Sequence, residues 1–308
     1  MSWLQLSVLT DKANAETVSE VLDALGAVSV TFQDAADEAL LEPAPGEHPV
    51  WQSVQMTAIF PPDSDAGQLR IAVREALGDP CLDISIESLE DRDWSETWRR
   101  DFHAMRFGSR LWVCPAHESP PNPGAVVVDM DPGLAFGTGT HETTAMCLEW
   151  LDAHPPQGLC VIDYGCGSGI LAIAACKLGA NDVTGVDIDP QAIQATRENA
   201  RRNGVQETLH AVLPDDLETG AVDLVVANIL ANPLIELADT LNGLVKPGGR
   251  IVMTGILAEQ AEAVMSAYRE WFVFQVPVQQ EEWVLLEGRR SEFIRDFLTG
   301  RHHKTDRG

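Results

Sequence analysis

The stretch Val161-Ile162-Asp163-Tyr164-Gly165-Cys166-Gly167-Ser168-Gly169-Ile170-Leu171 decides the fold. Its β-branched and aromatic start suits a strand, its glycines a tight loop, and the apolar run from Ile170 a helix. A strand that breaks into a glycine loop and opens a helix is the first unit of an open α/β sheet, and nucleotide-like ligands sit at the carboxyl end of that strand. Working outward, strands are expected at Leu159–Tyr164, Asp182–Asp187, Thr208–Val212, Asp223–Ala227 and Arg250–Thr254. Helical spacing falls between them, at Ile170–Leu178, Pro190–Asn203, Pro233–Leu244 and Ala258–Trp271. Repeated β–α units joined by right-handed crossovers imply a parallel, doubly wound sheet. The pattern ends in two β runs, Phe272–Val278 and Trp283–Glu287, joined by the short turn Gln279–Glu282, which predicts a terminal antiparallel hairpin.

The first ninety residues read differently. Apolar positions alternate through Trp3, Leu4, Leu6 and Val8, then recur at helical spacing from Thr17 to Leu25. Strands at Val28–Phe32 and Val54–Phe60, a helix at Gln68–Leu77 and an alternating run from Leu82 to Leu89 complete the order βαββαβ. That order predicts a ferredoxin-like α+β domain over residues 1–90, a fold that hosts many functions and proves none. Trp94, Trp98, Phe102 and Phe107 line one face of Asp91–Phe107, so residues 91–108 are expected to form a helical linker. Residues 109–290 then make the α/β domain, and 291–308 a polar tail in which His302 and His303 read as a frayed terminus rather than as metal ligands.

A chain of 308 residues has room for about two domains. With 21 Lys and Arg against 47 Asp and Glu, its net charge of −26 repels a polyphosphate, so direct binding of nucleic acid is not expected. An acidic field favours a basic protein as partner, although the same charge also serves solubility. The six cysteines contain no CxxC pair and lie among apolar residues, which suits reduced thiols in a cytoplasmic protein. No basic leader with an apolar core opens the chain, and nowhere do 18 apolar residues run together, so neither export nor membrane spanning is expected. No metal site is expected either.

The glycine loop selects its ligand by charge. A dinucleotide fingerprint wants a small residue at position 170, where the helix closes over the sheet and meets a pyrophosphate, but Ile170 stands there. Asp163, two residues before the first glycine, adds negative charge beside the loop, which disfavours a diphosphate and favours a ligand carrying an ammonium and a sulfonium. Asp187 closes the next strand, where a carboxylate can accept both hydroxyl hydrogens of a ribose. Its bland reading, a helix cap, is filled better by Asp189 before Pro190. These features favour S-adenosylmethionine over a nicotinamide dinucleotide. Asn228, at the end of the fourth strand, carries an amide oxygen able to accept from an amine, and Asn232 before Pro233 is the better cap for the helix that follows.

The loop DYGCGSG, the acid in GVDIDP, the VVANIL strand end and KPGGRIVMTGI resemble the Rossmann-like class I methyltransferases. The segment Asp131–Thr144 (DPGLAFGTGTHETT), the front half and the Trp-rich linker together resemble the bacterial PrmA family, which methylates the eleventh protein of the large ribosomal subunit. The likeness runs from about Ser2 to Gly288, with Glu142 standing where the family pattern has proline. It implies that Thr144, Gly165, Gly167, Asp187 and Asn228 contact S-adenosylmethionine, that Phe136 tips a glycine-rich loop folding over it, and that Asn228 orients the acceptor amine. It further implies lysine side chains and the N-terminal amine of that ribosomal protein as acceptors, methylated up to three times. Presenting several distant amines to one cofactor requires the target to be held in more than one orientation, so the front domain is expected to hold it while the linker flexes; the protein is expected to be a monomer.

Methyl transfer to an amine is a displacement that needs alignment and an uncharged nucleophile. No His or Glu is expected as an essential base, His141 being the nearest candidate. Enzymes acting on RNA or on a small-molecule amine share the same core. The first would want a basic face and the second would use the front domain as a lid. A binding module with an inactive core is disfavoured by the intact loop.

Overall fold

The computed structural model describes residues 3–36, 51–80, 82–89, 103–115, 118, 124–130, 141–218 and 220–292. The chain divides into two compact units, Met1–Thr97 and Trp98–Gly308. In the first, β1 (Trp3–Asp11), α1 (Ala15–Ala24), β2 (Ser29–Asp34), β3 (Ser53–Phe60), α2 (Ala66–Leu77) and β4 (Ile84–Leu89) follow in chain order. The four strands form an antiparallel sheet ordered β2-β3-β1-β4. Alternation in β3 sends Val54, Met56, Ala58 and Phe60 to one face, where Leu6, Val18, Leu22 and Val73 meet them in one core. Asp65 caps α2 by accepting from the amide of Gln68, and Gly78 ends it in the left-handed conformation.

The second unit opens with a small sheet that periodicity did not reveal. It comprises β5 (Met105–Phe107), β6 (Leu111–Cys114) and β7 (Val126–Asp129). Met105–Phe107 was expected to end a helix and is instead a strand antiparallel to β6. Three- and four-residue strands are too short to show a period, and most of the expected linker helix lies outside the described residues.

The large sheet follows, interleaved with α3 (Glu142–Ala153), α4 (Ile170–Lys177), α5 (Pro190–Arg202), α6 (Ala231–Glu236), α7 (Ala238–Leu244) and α8 (Ala261–Tyr268). Its strands are β8 (Cys160–Tyr164), β9 (Asp182–Val186), β10 (Leu209–Val212), β11 (Val222–Asn228), β12 (Val245–Leu257), β13 (Phe272–Phe274), β14 (Val278–Gln280) and β15 (Trp283–Arg290). They are ordered β10-β9-β8-β11-β12-β15-β13, with β14 also on β15. The first five pair in parallel, and β12, β13 and β14 all pair antiparallel with β15. Strand order reverses between β8 and β11, so their carboxyl ends flank the crevice where open α/β sheets hold ligands. This is a mixed α/β class I methyltransferase fold.

Three expectations need correcting. The run Pro233–Leu244 is two helices broken at Leu237, starting at Ala231. Leu230 is the N-cap of the first, so Asn232 lies inside the helix and does not cap it. The run Phe272–Val278 is two strands, Phe272–Phe274 and Val278–Gln280, and Pro277 in the gap between them has no amide hydrogen to give the ladder.

Helix α4 is apolar all round, with Ile170 to Ala175 buried, because it packs between the large sheet and the small one, whose Leu111, Val113 and Val128 join the same core. Among the described residues, no helix is long and apolar enough to cross a membrane.

Candidate active site at the β8–β11 crevice

The loop after β8 is held by the end of β9. The amides of Gly165 and Cys166 both donate to the carbonyl of Val186, at 2.7 and 3.0 Å, and the amide of Gly169 donates back to Cys166 at 2.7 Å. Gly165 has φ +81°, and a Cβ there would collide with Cγ2 of Ile229. The close approach that requires glycine therefore comes, on this side, from the protein's own Ile229.

Behind the loop, the buried face of α5 carries Thr196, whose hydroxyl donates to the carbonyl of Gly167 at 3.0 Å, and Asn199, whose amide donates to that of Ser168 at 2.9 Å. Sequence reading missed both. Their signal was polar residues at 196, 199 and 203, at helical spacing on a stripe that otherwise packs inward.

Asp187 and Gly167 meet: Oδ2 accepts from the Gly167 amide at 2.9 Å, and Oδ1 from the Asp189 amide at 3.0 Å. Each carboxylate oxygen keeps further acceptor capacity for a hydroxyl, while the Gly167 amide is engaged by Asp187. Asp189 caps α5 as expected, accepting from the amide of Gln191, with Pro190 at the first helical position.

Asp163 sits 2% exposed under the loop. Its Oδ2 accepts from the amide of Ala172 at 3.0 Å, and its Oδ1 has no hydrogen-bond partner among the described residues. Burial pushes this carboxyl up to about 7, against the opposing Ala172 amide and with the nearby charge of Asp187 adding to the rise. Burial likewise pushes the Cys166 thiol up to about 12, so it is inert as a nucleophile near neutral pH. A buried carboxylate with an orphaned oxygen beside a glycine loop fits a ligand that brings positive charge.

Across the crevice, Thr144 in the first turn of α3 is buried and accepts from the Asn228 side-chain amide at 3.2 Å. Asn228 ends β11, beside β8, so residues 84 apart in sequence meet at the point of strand reversal. His141 is the N-cap of α3. Its Nδ1 lies 3.3 Å from the donating Thr143 amide and 2.8 Å from the Thr143 hydroxyl, and the ring packs edge-on to Trp283. Thr144, Gly165, Gly167, Asp187 and Asn228 are thus gathered at one end of the sheet. Phe136 lies outside the described residues. Among the described residues, no group of His, Cys, Asp and Glu converges as a metal site.

The family model for ribosomal protein L11 methyltransferase (PrmA) matches residues 2–291. Curated relatives of that name include one from Hahella chejuensis, 51% identical over 293 residues that cover 95% of this chain and 100% of the relative. Another, from Methylococcus capsulatus, is 53% identical over 290 residues that cover 94% and 99%. The crystal structure of ribosomal protein L11 methylase from Lactobacillus delbrueckii subsp. bulgaricus is 33% identical, with a TM-score of 0.57 over 62% of this chain and 100% of that one. With the crevice, the glycine loop and the full-length match in agreement, the chain belongs to the ribosomal protein L11 methyltransferase family.

Proposed function

We propose that the chain transfers methyl groups from S-adenosylmethionine to amines of ribosomal protein L11, namely lysine side chains and the N-terminal amine, in up to three rounds. The observation that carries the reading is the placement of Asn228 and Thr144 across the crevice from a glycine loop backed by the orphaned Asp163 oxygen. The cofactor supplies an electrophilic methyl on a sulfonium. Asp163 supplies the negative potential that suits this cation, Asp187 is oriented by two backbone amides to accept from ribose hydroxyls, and Gly165 keeps the loop close to β11.

Asn228 spends its amide nitrogen on Thr144, which leaves its carbonyl oxygen to accept an N–H of the acceptor and to aim the lone pair. A lysine with a pKa near 10.4 costs roughly 4–5 kcal/mol to deprotonate at neutral pH. Desolvation in the crevice and the adjacent sulfonium both favour the neutral amine, so no dedicated base is needed. The order and pairing of β1 to β4 support a ferredoxin-like reading of the N-terminal unit, to which we assign recognition of the protein substrate. The terminal strands fit an antiparallel hairpin closing the methyltransferase domain.

The test is incubation of the purified protein with L11 and tritiated S-adenosylmethionine, followed by mass spectrometry. Label on L11 in steps of one methyl, on lysines and the N-terminus, is expected. Cofactor binding with L11 left unlabelled, while free RNA or a small amine is labelled, would assign the other substrate classes.

A further inference from the structure

Strand β12 is irregular at the crevice. It runs parallel to β11 with Thr254 opposite Asn228, and its pairing with β15 shifts register between Met253 and Ile256. Gly255 occupies the shift with φ +83°, a conformation strained for any residue with a side chain. A Cβ on Gly255 would press into the carbonyl oxygen of Ile229 and stand 2.8 Å from its carbonyl carbon and 3.3 Å from its nitrogen. The same Ile229 lies by its side chain against Gly165, where a Cβ would overlap Cγ2 and stand 3.7 Å from Cβ. The residue that follows Asn228 is therefore seated between two glycines, one from the loop after β8 and one from β12. Thr254, fully buried, ties the irregular strand to its neighbour by donating its hydroxyl to the carbonyl of Val284 at 3.0 Å.

We propose that Gly255 is a positioning residue for methyl transfer, its bare backbone letting the Ile229 peptide lie flat against β12 and so fixing where Asn228 holds the acceptor amine. This deepens the reading above and rests on it. Bulges beside active sites commonly re-aim a neighbouring group. Here the group is a peptide one residue beyond the amide that aims the nucleophile. Relieving the overlap of a new Cβ would move that peptide by roughly 1 Å, a misplacement of the size that costs about a hundredfold in rate. Gly167 and Asp187, bonded to each other and to neither Ile229 nor Gly255, would keep their pairing.

The test compares Gly255→Ala with Gly204→Ala in the full-length protein. Gly204 has φ +68° and nothing within 4 Å of a built Cβ, so its substitution carries the conformational strain without the collision. For Gly255→Ala, kcat on L11 is expected to fall about a hundredfold relative to Gly204→Ala, with the calorimetric Kd for S-adenosylmethionine within about threefold of it. Turnover within about threefold of Gly204→Ala overturns the proposal, as does an equal loss of cofactor affinity, which would indicate general disruption. If Gly255→Ala does not fold, Thr254→Val loosens the same bulge without adding bulk, and kcat should fall more than about tenfold at unchanged cofactor affinity. Wild-type turnover in folded Thr254→Val also overturns it. A wild-type protein that binds the cofactor but leaves L11 unlabelled refutes the functional reading itself, and is seen before any variant is compared.

Discussion

Asp163 is paired with a single backbone amide in the interior, and burial holds its carboxyl up at about 7. An unfolded aspartate titrates near 3.9. Between about pH 4 and 7 the folded chain therefore holds the extra proton, and the stability that Asp163 contributes is full below that window and declines through it by up to about 1.4 kcal/mol per pH unit. Urea unfolding across this range should show that decline, and Asp163→Asn should flatten it. A cation in the crevice favours the carboxylate, so binding of S-adenosylmethionine near about pH 6.5 should release a proton. Calorimetry in buffers of different ionisation enthalpy reads this directly. Proton release in the wild type and none in Asp163→Asn is expected, and a buffer-independent enthalpy in the wild type contradicts it. Asn228→Ala should lower kcat/KM by about a hundredfold or more, since it removes the group to which we assign orientation of the amine. His141→Ala removes a helix cap worth about 1 kcal/mol and should leave turnover well inside the roughly thousandfold loss that a general base would show.

Helix α5 joins the small sheet to the glycine loop after β8. Its Thr196 and Asn199 hold the loop carbonyls from behind, and one turn on, Asn203 grips β7 at both ends of one residue. Its Oδ1 accepts from the amide of Asp129 at 2.8 Å, and its Nδ2 donates to the Asp129 carbonyl at 2.8 Å. These bonds mimic a strand pair, and Asn203 itself is buried. Asn203→Ala should cost about 1–3 kcal/mol in urea unfolding, and Thr196→Val a similar amount together with weakened cofactor binding. An Asn203→Ala protein as stable as the wild type would remove the Asn203–Asp129 bonds as a tie between the two sheets. A second tie lies on α3, where buried Asp152 accepts from both the amide and the hydroxyl of Ser109, which with Arg110 holds its carboxyl below the usual range against the opposing effect of burial.

At the scale of the molecule, the two units are assigned separate tasks, and deletion of residues 1–90 tests the division. Methylation of L11 should be lost, while calorimetry should still register S-adenosylmethionine binding; unchanged methylation would refute the assignment. The parallel sheet, the glycine loop after β8 and the position of Asp187 at the end of β9 were legible in the chain, because glycine spacing, β-branched runs and helix periods are local and survive without knowledge of what they touch. The small sheet, the break at Leu237 and the cap at Leu230 were not, since each depends on segments too short to show a period or on a neighbour distant in sequence. Gly165 shows the boundary best. Its sequence position announced a close approach, but that Ile229 makes it, with Gly255 on the far side and Thr144 bonded to Asn228, follows from strand order. Only the fold that sets β11 between β8 and β12 brings those residues together, and the packing energy that does so is non-local.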